Sequence, residues 1–170
     1  MIKIIKQYAI SSLSAAFLMF CSPTSAGQMP TTVPIQRLSM ESALQAAQTA
    51  IESCREKGFQ VAVTVVDRAG HPQIELRDVL AMDLTLSISR KKAYTAMVFG
   101  KRTSDLMNTE VSHALQNEQT VLFAGGGIPI RVAGSILGGI GVGGAATAKI
   151  DEICALNGVK AIEEKLEMSE

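Results

Sequence analysis

The chain contains 170 residues, and its 16 lysines and arginines are balanced by 16 aspartates and glutamates. A chain of this length suits one domain, and a neutral chain lacks the strongly basic surface that nucleic-acid binding requires. We therefore expect a single domain without a nucleic-acid partner.

Residues 1–26 have the pattern of a secretory signal peptide. Lysines give a positive start, an apolar run extends to Phe20, and small residues precede Ala26. The run is too short to span a bilayer comfortably, which favours a cleaved signal over an anchor. We expect export to the periplasm or the medium, with no membrane span in the remaining chain. An uncleaved anchor and a lipoprotein modified at Cys21 are the alternatives.

Residues 27–37 predict an extended, proline-bearing lead-in to a single domain at residues 38–170. Ser39 is typical of a helix N-cap, apolar residues at helical spacing continue to Cys54, and Gly58 is a natural stop. The segments "VAVTVVD" and "QIELRD" then predict a β-hairpin around the turn "RAGHP".

A long helical segment follows from about Met82 to Phe99 and is closed by Gly100, and Thr103 predicts the cap of a shorter helical piece. The segments "IPIRV" and "SILGGIGVGG" predict a second hairpin, and the last helix has a predicted break at Asn157-Gly158. Hairpins place their strands antiparallel. Helices between them therefore predict an α+β domain, in which helices flank an antiparallel sheet.

The glycines of "SILGGIGVGG" match the G-x-G-x-x-G fingerprint of dinucleotide-binding proteins. That fingerprint needs a following strand with an acidic residue, whereas the chain after Gly144 has a helical pattern. Strand alternation explains the glycines better, because it would leave one face of the strand without side chains. A helix, another subunit or a flat ligand would then approach the backbone closely. The large side chains would lie on one face (Ile136, Ile140 and Val142) and the glycines on the other (Gly139, Gly141 and Gly143).

Other catalytic and metal motifs are weak. Ser89 and Lys92 form S-x-x-K, but the partner motifs of serine acylases are missing from the sequence. Two histidines and no C-x-x-C argue against a preassembled zinc site and against covalent haem attachment. After the signal, Cys54 and Cys154 either form one disulfide in an oxidising compartment or remain as buried thiols.

The segment "SRKKAYTA" concentrates cationic and hydroxyl side chains on a predicted helix. Arg90 and Tyr94 share one face at i,i+4 spacing, as do Lys91 and Thr95. Such a face beside a glycine-rich strand suits the carboxylates of a flat anionic ligand, although a solvated basic face has the same pattern.

Seven segments complete the picture: "VVDRAGH", "LRD", "RKKAYTA", "RTSDL", "GGGIPIRVAG", "GGIGVGG" and "DEICALNG". With these segments in this order, the chain resembles the GlcG/HbpS-like haem-binding family, which includes the C-terminal domain of PduO-type proteins. It looks like an exported member. The resemblance implies an antiparallel sheet of about five strands flanked by helices, similar to profilin and PAS-type domains. It also implies dimers or larger rings and a non-covalently bound haem.

The resemblance directs attention to side chains that would contact haem or another flat anionic molecule. Candidates for the carboxylates are Arg77, Arg90, Lys92 and Arg131, with Thr95 as a further contact on the same helix. Candidates for the axial ligand are His71, His113, Tyr94 and Met97. Two carboxylates, Asp78 and Asp83, are candidates for a free iron ion in an oxygen-ligand site.

Three functions from different classes follow. The first is an exported oligomeric protein that sequesters or presents haem. The second is an enzyme that degrades haem or acts on a small organic acid, although no nucleophile–base pair in the sequence supports it. The third is a structural or accessory oligomer without a cofactor. The resemblance favours the first.

Overall fold

Four helices and four strands are present in residues 31–168, the part of the chain that the computed structural model describes. The predicted signal peptide at residues 1–26 and the first residues of the predicted lead-in lie outside this part. Residues 31–39 contain neither helix nor strand. In chain order the elements are α1 (Met40–Arg55), β1 (Ala62–Asp67), β2 (Pro72–Arg77), α2 (Leu84–Phe99), α3 (Glu110–Ala114), β3 (Gly127–Val132), β4 (Ser135–Gly143) and α4 (Ala148–Glu167).

The strands form one antiparallel sheet in the order β2-β1-β4-β3. Helices α1 and α4 pack on one face of the sheet, and α2 packs on the other. The predicted α+β class is confirmed, with four strands in the described residues instead of about five. No helix within residues 31–168 is long and apolar enough to cross a membrane.

The main core lies between the sheet and the α1/α4 layer. Val63, Val65, Ile140 and Val142 point into it from the two central strands and are fully buried. Burial of each such side chain contributes about 1.5–3 kcal/mol to stability. This layer fixes the sheet, and the opposite face is left to α2.

The glycines of β4 let α2 approach the sheet closely. A Cβ atom at Gly141 would overlap the carbonyl oxygen of Ser89, and one at Gly139 would overlap that of Ala93. Of the three partners predicted for the glycine face, the helix is the one in contact. Ile136 lies on this α2 face, so its predicted placement with Ile140 was wrong. An extra β4 residue, Leu137, at the irregular pairing with β3 inverts the alternation before it.

Two predicted helix boundaries are confirmed and one was wrong. The Ser39 hydroxyl accepts a hydrogen bond from the amide of Ser42 as the N-cap of α1, and Gly100 ends α2 with a φ of 59°. Thr103 caps no helix, since residues 103–108 form turns. Its hydroxyl instead donates to the carbonyl of Ala124 at 2.7 Å. The short helix starts later, at a cap provided by Thr109.

The last helix passes through Gly158 without the predicted break. A side chain there would overlap the carbonyl oxygen of Ala46 on α1, so the glycine serves helix–helix packing. One turn earlier, Cys154 forms a disulfide with Cys54 of α1, with Cα atoms 5.6 Å apart. Both sulfurs lie in the buried core. Helices α1 and α4 are therefore joined covalently.

Candidate ligand-binding cleft

The outward face of α2 forms one wall of an open cleft, called the α2 cleft here. Its volume is about 620 Å³, within the range of about 300–1,000 Å³ that is typical of small-molecule sites. The turn between β1 and β2, strand β2 and the segment after α3 supply the other walls. The lining residues are Gly70, Glu75, Asp83, Leu84, Leu86, Ser87, Arg90, Lys91, Tyr94, Gln119 and Thr120.

Arg90 and Glu75 form a two-pronged ion pair within the cleft. The Nε and Nη2 atoms of Arg90 donate to the two carboxylate oxygens of Glu75 at 2.9 and 2.7 Å. The hydrogen bonds and the negative charge of Glu75 raise the pKa of Arg90 above its ordinary value. The guanidinium is thus a permanent cation, and β2 fixes its orientation.

Tyr94 is half-buried between the cleft and the sheet. Its ring packs with Val66 and Met97, and a Cβ atom at Gly70 would come within 2.6 Å of it. The carboxylate of Asp67 fixes the Gly70 turn by accepting hydrogen bonds from two backbone amides. Within residues 31–168, the Tyr94 hydroxyl makes no hydrogen bond. The ring is therefore rigidly placed, and its oxygen is available to a ligand.

Lys92 lies in the interior and does not reach the α2 cleft. It is 3 % exposed, and its Nζ atom donates to Asp151 Oδ2 at 2.7 Å and to the Val142 carbonyl at 2.9 Å. Burial raises the pKa of Asp151, and the Lys92 ammonium opposes that rise. The structure therefore pairs Lys92 with Asp151 in the interior, whereas the sequence predicted a contact between Lys92 and a haem carboxylate. Its neighbour Lys91 lines the cleft instead.

Thr95 is buried and links two of the segments that form the cleft. Its hydroxyl donates to the Lys91 carbonyl at 2.7 Å and accepts from the Leu122 amide at 2.8 Å. The second bond fixes the segment that carries Gln119 and Thr120 to α2. Thr95 acts on the cleft through its walls and does not line it.

The other predicted haem contacts lie away from the cleft lining. The guanidinium of Arg77 donates to the Ala81 carbonyl, and that of Arg131 donates to the carbonyls of Gly100 and Gly134. His71 is exposed beside the Gly70 turn, His113 is exposed on α3, and Met97 is buried against the sheet.

The two predicted iron-binding carboxylates are not paired. Both oxygens of Asp78 accept hydrogen bonds from the guanidinium of Arg55, at 2.8 and 2.7 Å, which lowers the pKa of Asp78. Asp78 is therefore committed to Arg55. Asp83 lines the α2 cleft. Residues 31–168 contain no group of three or more histidine, cysteine, aspartate or glutamate side chains suited to a metal ion.

Sequence reasoning missed Glu75, the partner of Arg90. Glu75 alternates with apolar Ile74 and Leu76 along β2, so its strand position predicted a polar face. The local sequence does not indicate which helix covers that face, because Arg90 comes only after a loop and the first half of α2.

A family model, two solved structures and a curated relative match this chain. The model of the family described as haem degrading protein HbpS-like matches residues 38–160. The crystal structure of a double mutant of Streptomyces reticuli HbpS is 28% identical in sequence and superposes with a TM-score of 0.75. The match covers 91% of this chain and 99% of the HbpS chain. The crystal structure of a PduOC:heme complex is 24% identical, with coverage of 75% and 96% and a TM-score of 0.68. An uncharacterised 15.0 kDa protein of Citrobacter freundii is 28% identical, with coverage of 71% and 89%.

Proposed function

Because the chain belongs to the HbpS-like family of haem-degrading proteins, we propose that it binds haem non-covalently in the α2 cleft. The observation that carries this proposal is Tyr94, which lines a cleft with two cationic side chains and whose hydroxyl makes no hydrogen bond within residues 31–168. The shared fold of the PduOC:heme complex supports a haem site in this architecture.

The lining of the cleft fits the two ends of a haem molecule. Leu84, Leu86 and the ring of Tyr94 give an apolar surface for the porphyrin plane. Arg90 and Lys91 give cationic groups for the propionates, which form strong charge-assisted hydrogen bonds with such partners. Tyrosine oxygen is an established axial ligand of haem iron. Bound haem would supply the redox-active iron, and this chain would supply its binding and orientation.

Titration of the protein with haemin, followed at the Soret band, tests the proposal. We expect a saturable shift for the wild type and at least about tenfold weaker binding for Y94F, with a changed Soret position as the axial ligand is lost. R90A/K91A is expected to weaken binding by about tenfold, because hydrogen bonds to charged groups contribute most.

The control for Y94F is H71A, which removes the histidine candidate for the axial ligand on the exposed turn. Its titration should match that of the wild type. A wild-type spectrum that shifts without saturation, or shifts identically in Y94F and R90A/K91A, would contradict haem binding in the α2 cleft.

Oxidative degradation of haem is the second candidate, favoured by the description of the family. Its test is the rate at which the Soret band of the haemin complex disappears in hydrogen peroxide. A rate above that of free haemin, and lower in Y94F, would support an enzyme. A rate equal to that of free haemin would leave binding as the function.

We also propose that the protein assembles into dimers or larger rings through the loop before α2. This loop and the first turn of α2 expose Val79 (79 %), Leu80 (77 %), Met82 and Leu84. The loop is held in place, because the Leu80 amide donates to the side chain of Gln60 and Ala81 is buried. An ordered, exposed apolar patch of this kind suits a protein interface.

Size-exclusion chromatography with light scattering tests the assembly. We expect V79E/L80E to reduce the mass of the wild-type particle toward that of a single chain, because charges would be buried in the interface. The double variant I153E/M168E, also at exposed apolar positions but on α4 and its C-terminal end, is the control and should not. Equal masses for wild type and V79E/L80E would contradict an interface at this loop.

We propose, finally, that the protein works outside the cytoplasm, in the periplasm or the medium. The Cys54–Cys154 disulfide supports this location, because such bonds persist in oxidising compartments. The intact mass of protein recovered from the periplasmic and culture fractions is the test. An intact mass that corresponds to a chain starting near Gly27 would support export, and full-length protein confined to the cytoplasm would contradict it.

A further inference from the structure

We infer that Glu75 is a specificity residue of the α2 cleft, because it competes with the carboxylates of an anionic ligand for Arg90. The inference rests on the proposed function, since it concerns how the cleft admits haem propionates. It gives Glu75 a role opposite to that of the cationic residues beside it.

Glu75 and a ligand propionate would compete for the same side chain, that of Arg90. Both carboxylate oxygens of Glu75 accept from the Nε and Nη2 edge of Arg90, the edge that a propionate would bind in the same two-pronged way. A propionate that binds this edge must displace Glu75. One that binds the remaining guanidinium donors must lie close to a like charge. In either case the negative charge of Glu75 opposes binding.

The balance of charge around the cleft strengthens the effect. The lining contains two cations, Arg90 and Lys91, and two carboxylates, Glu75 and Asp83. Removal of one carboxylate therefore turns a neutral lining into a cationic one. Glu75 is the carboxylate in contact with a cation, at 2.7 Å, so it controls the group that a propionate would use.

The expected effect is modest because the pair is partly exposed to solvent. The side chains of Arg90 and Glu75 are 55 % and 29 % exposed, and pairs in such positions contribute little. Replacement of the carboxylate by an amide preserves the size of the side chain and one acceptor oxygen for Arg90, while it removes the charge and the second acceptor. E75Q is expected to bind haemin about two- to fivefold more tightly than the wild type.

The experiment compares haemin with its dimethyl ester, which lacks the propionate charges, at one ionic strength on five proteins: the wild type, E75Q, E163Q, R90A and R90A/E75Q. E75Q should tighten haemin binding and leave ester binding unchanged. E163Q is the matched control, because Glu163 is exposed on α4 across the sheet from the cleft, and it should change neither. Introduced into R90A, E75Q should lose at least half of its effect on haemin, since the shared partner is gone.

The outcomes separate this inference from the proposed function. If the wild type binds haemin saturably but E75Q binds it no more tightly than E163Q does, the inference is wrong and the haem site stands. An equal gain for haemin and its ester also overturns it, since charge would not be the cause. If the wild type does not bind haemin saturably, the proposed function fails and the inference fails with it.

Discussion

A chain in which Cys54 and Cys154 are both replaced by alanine is expected to lose about 2–5 kcal/mol of its free energy of unfolding. The disulfide closes a loop with a sequence separation of 100 residues, so its loss frees a large part of the unfolded chain. In the chain-entropy account, a loop of this length corresponds to about 4.7 kcal/mol. Because both sulfurs are buried between α1 and α4, the alanine variant also loses packing there.

Urea unfolding followed by circular dichroism measures this loss. The wild type should unfold at a markedly lower urea concentration when dithiothreitol is present, whereas C54A/C154A should be insensitive to the reductant. Two results would show that the bond contributes little. One is a loss of less than about 1 kcal/mol in the free energy of unfolding of C54A/C154A. The other is a wild-type urea midpoint that dithiothreitol does not change. The measurement also bears on location, since a fold that depends on this bond suits an oxidising compartment.

Features that are encoded locally were predictable from the sequence. Ser39 caps α1 with its own hydroxyl, and Gly100 ends α2 because it adopts a positive φ that side-chain-bearing residues disfavour. The β-branched residues of "VAVTVVD" and the turn after it also predict a hairpin without any reference to the rest of the chain. Each of these signals lies within a few residues of the feature it predicts.

The wrong predictions concern positions whose conformation depends on a segment far away in the sequence. Gly158 has the local pattern of a helix break, yet the backbone of α1 packs against it and keeps α4 continuous. Ile136 lies on the unexpected face because the extra residue Leu137 shifts the pairing between β3 and β4. Neither the approach of a helix nor an irregular strand pairing leaves a signal within one segment.

The cleft was predictable in part for the same reason. The i,i+4 spacing of Arg90 and Tyr94 places both on one face of α2, and both line the cleft. The spacing does not say which neighbour points toward the sheet. Lys92 points inward because its ammonium group forms an ion pair with Asp151 on α4, whereas Lys91 points outward. That choice depends on a carboxylate far along the chain.

The interior position of Lys92 gives the second prediction with a large effect. K92M is expected to destabilise the protein by about 3–5 kcal/mol, because it leaves the buried Asp151 carboxylate without a counterion. It also removes the donor to the Val142 carbonyl. K92M/D151N should recover more than half of the loss, since the neutral amide retains an oxygen for the Ala145 amide that Asp151 now binds.

The dependence on pH identifies the cause. Burial already raises the pKa of Asp151, and loss of the ammonium that opposes this should raise it further in K92M. A carboxyl whose pKa is higher in the folded state stabilises the fold at pH below its unfolded pKa, and that stability is lost as the pH rises through the folded pKa. The deficit of K92M should therefore be largest near neutral pH and shrink in acid. K92M/D151N should not show this trend.

Haemin binding then separates the two neighbouring lysines. Under conditions where K92M remains folded, its affinity for haemin should equal that of the wild type, because Lys92 does not line the cleft. K91A, which leaves the core intact, should weaken binding without a comparable loss of stability. A K92M protein that is stable but binds haemin poorly would contradict the interior role of Lys92, since it would mean that its ammonium serves the ligand and not Asp151.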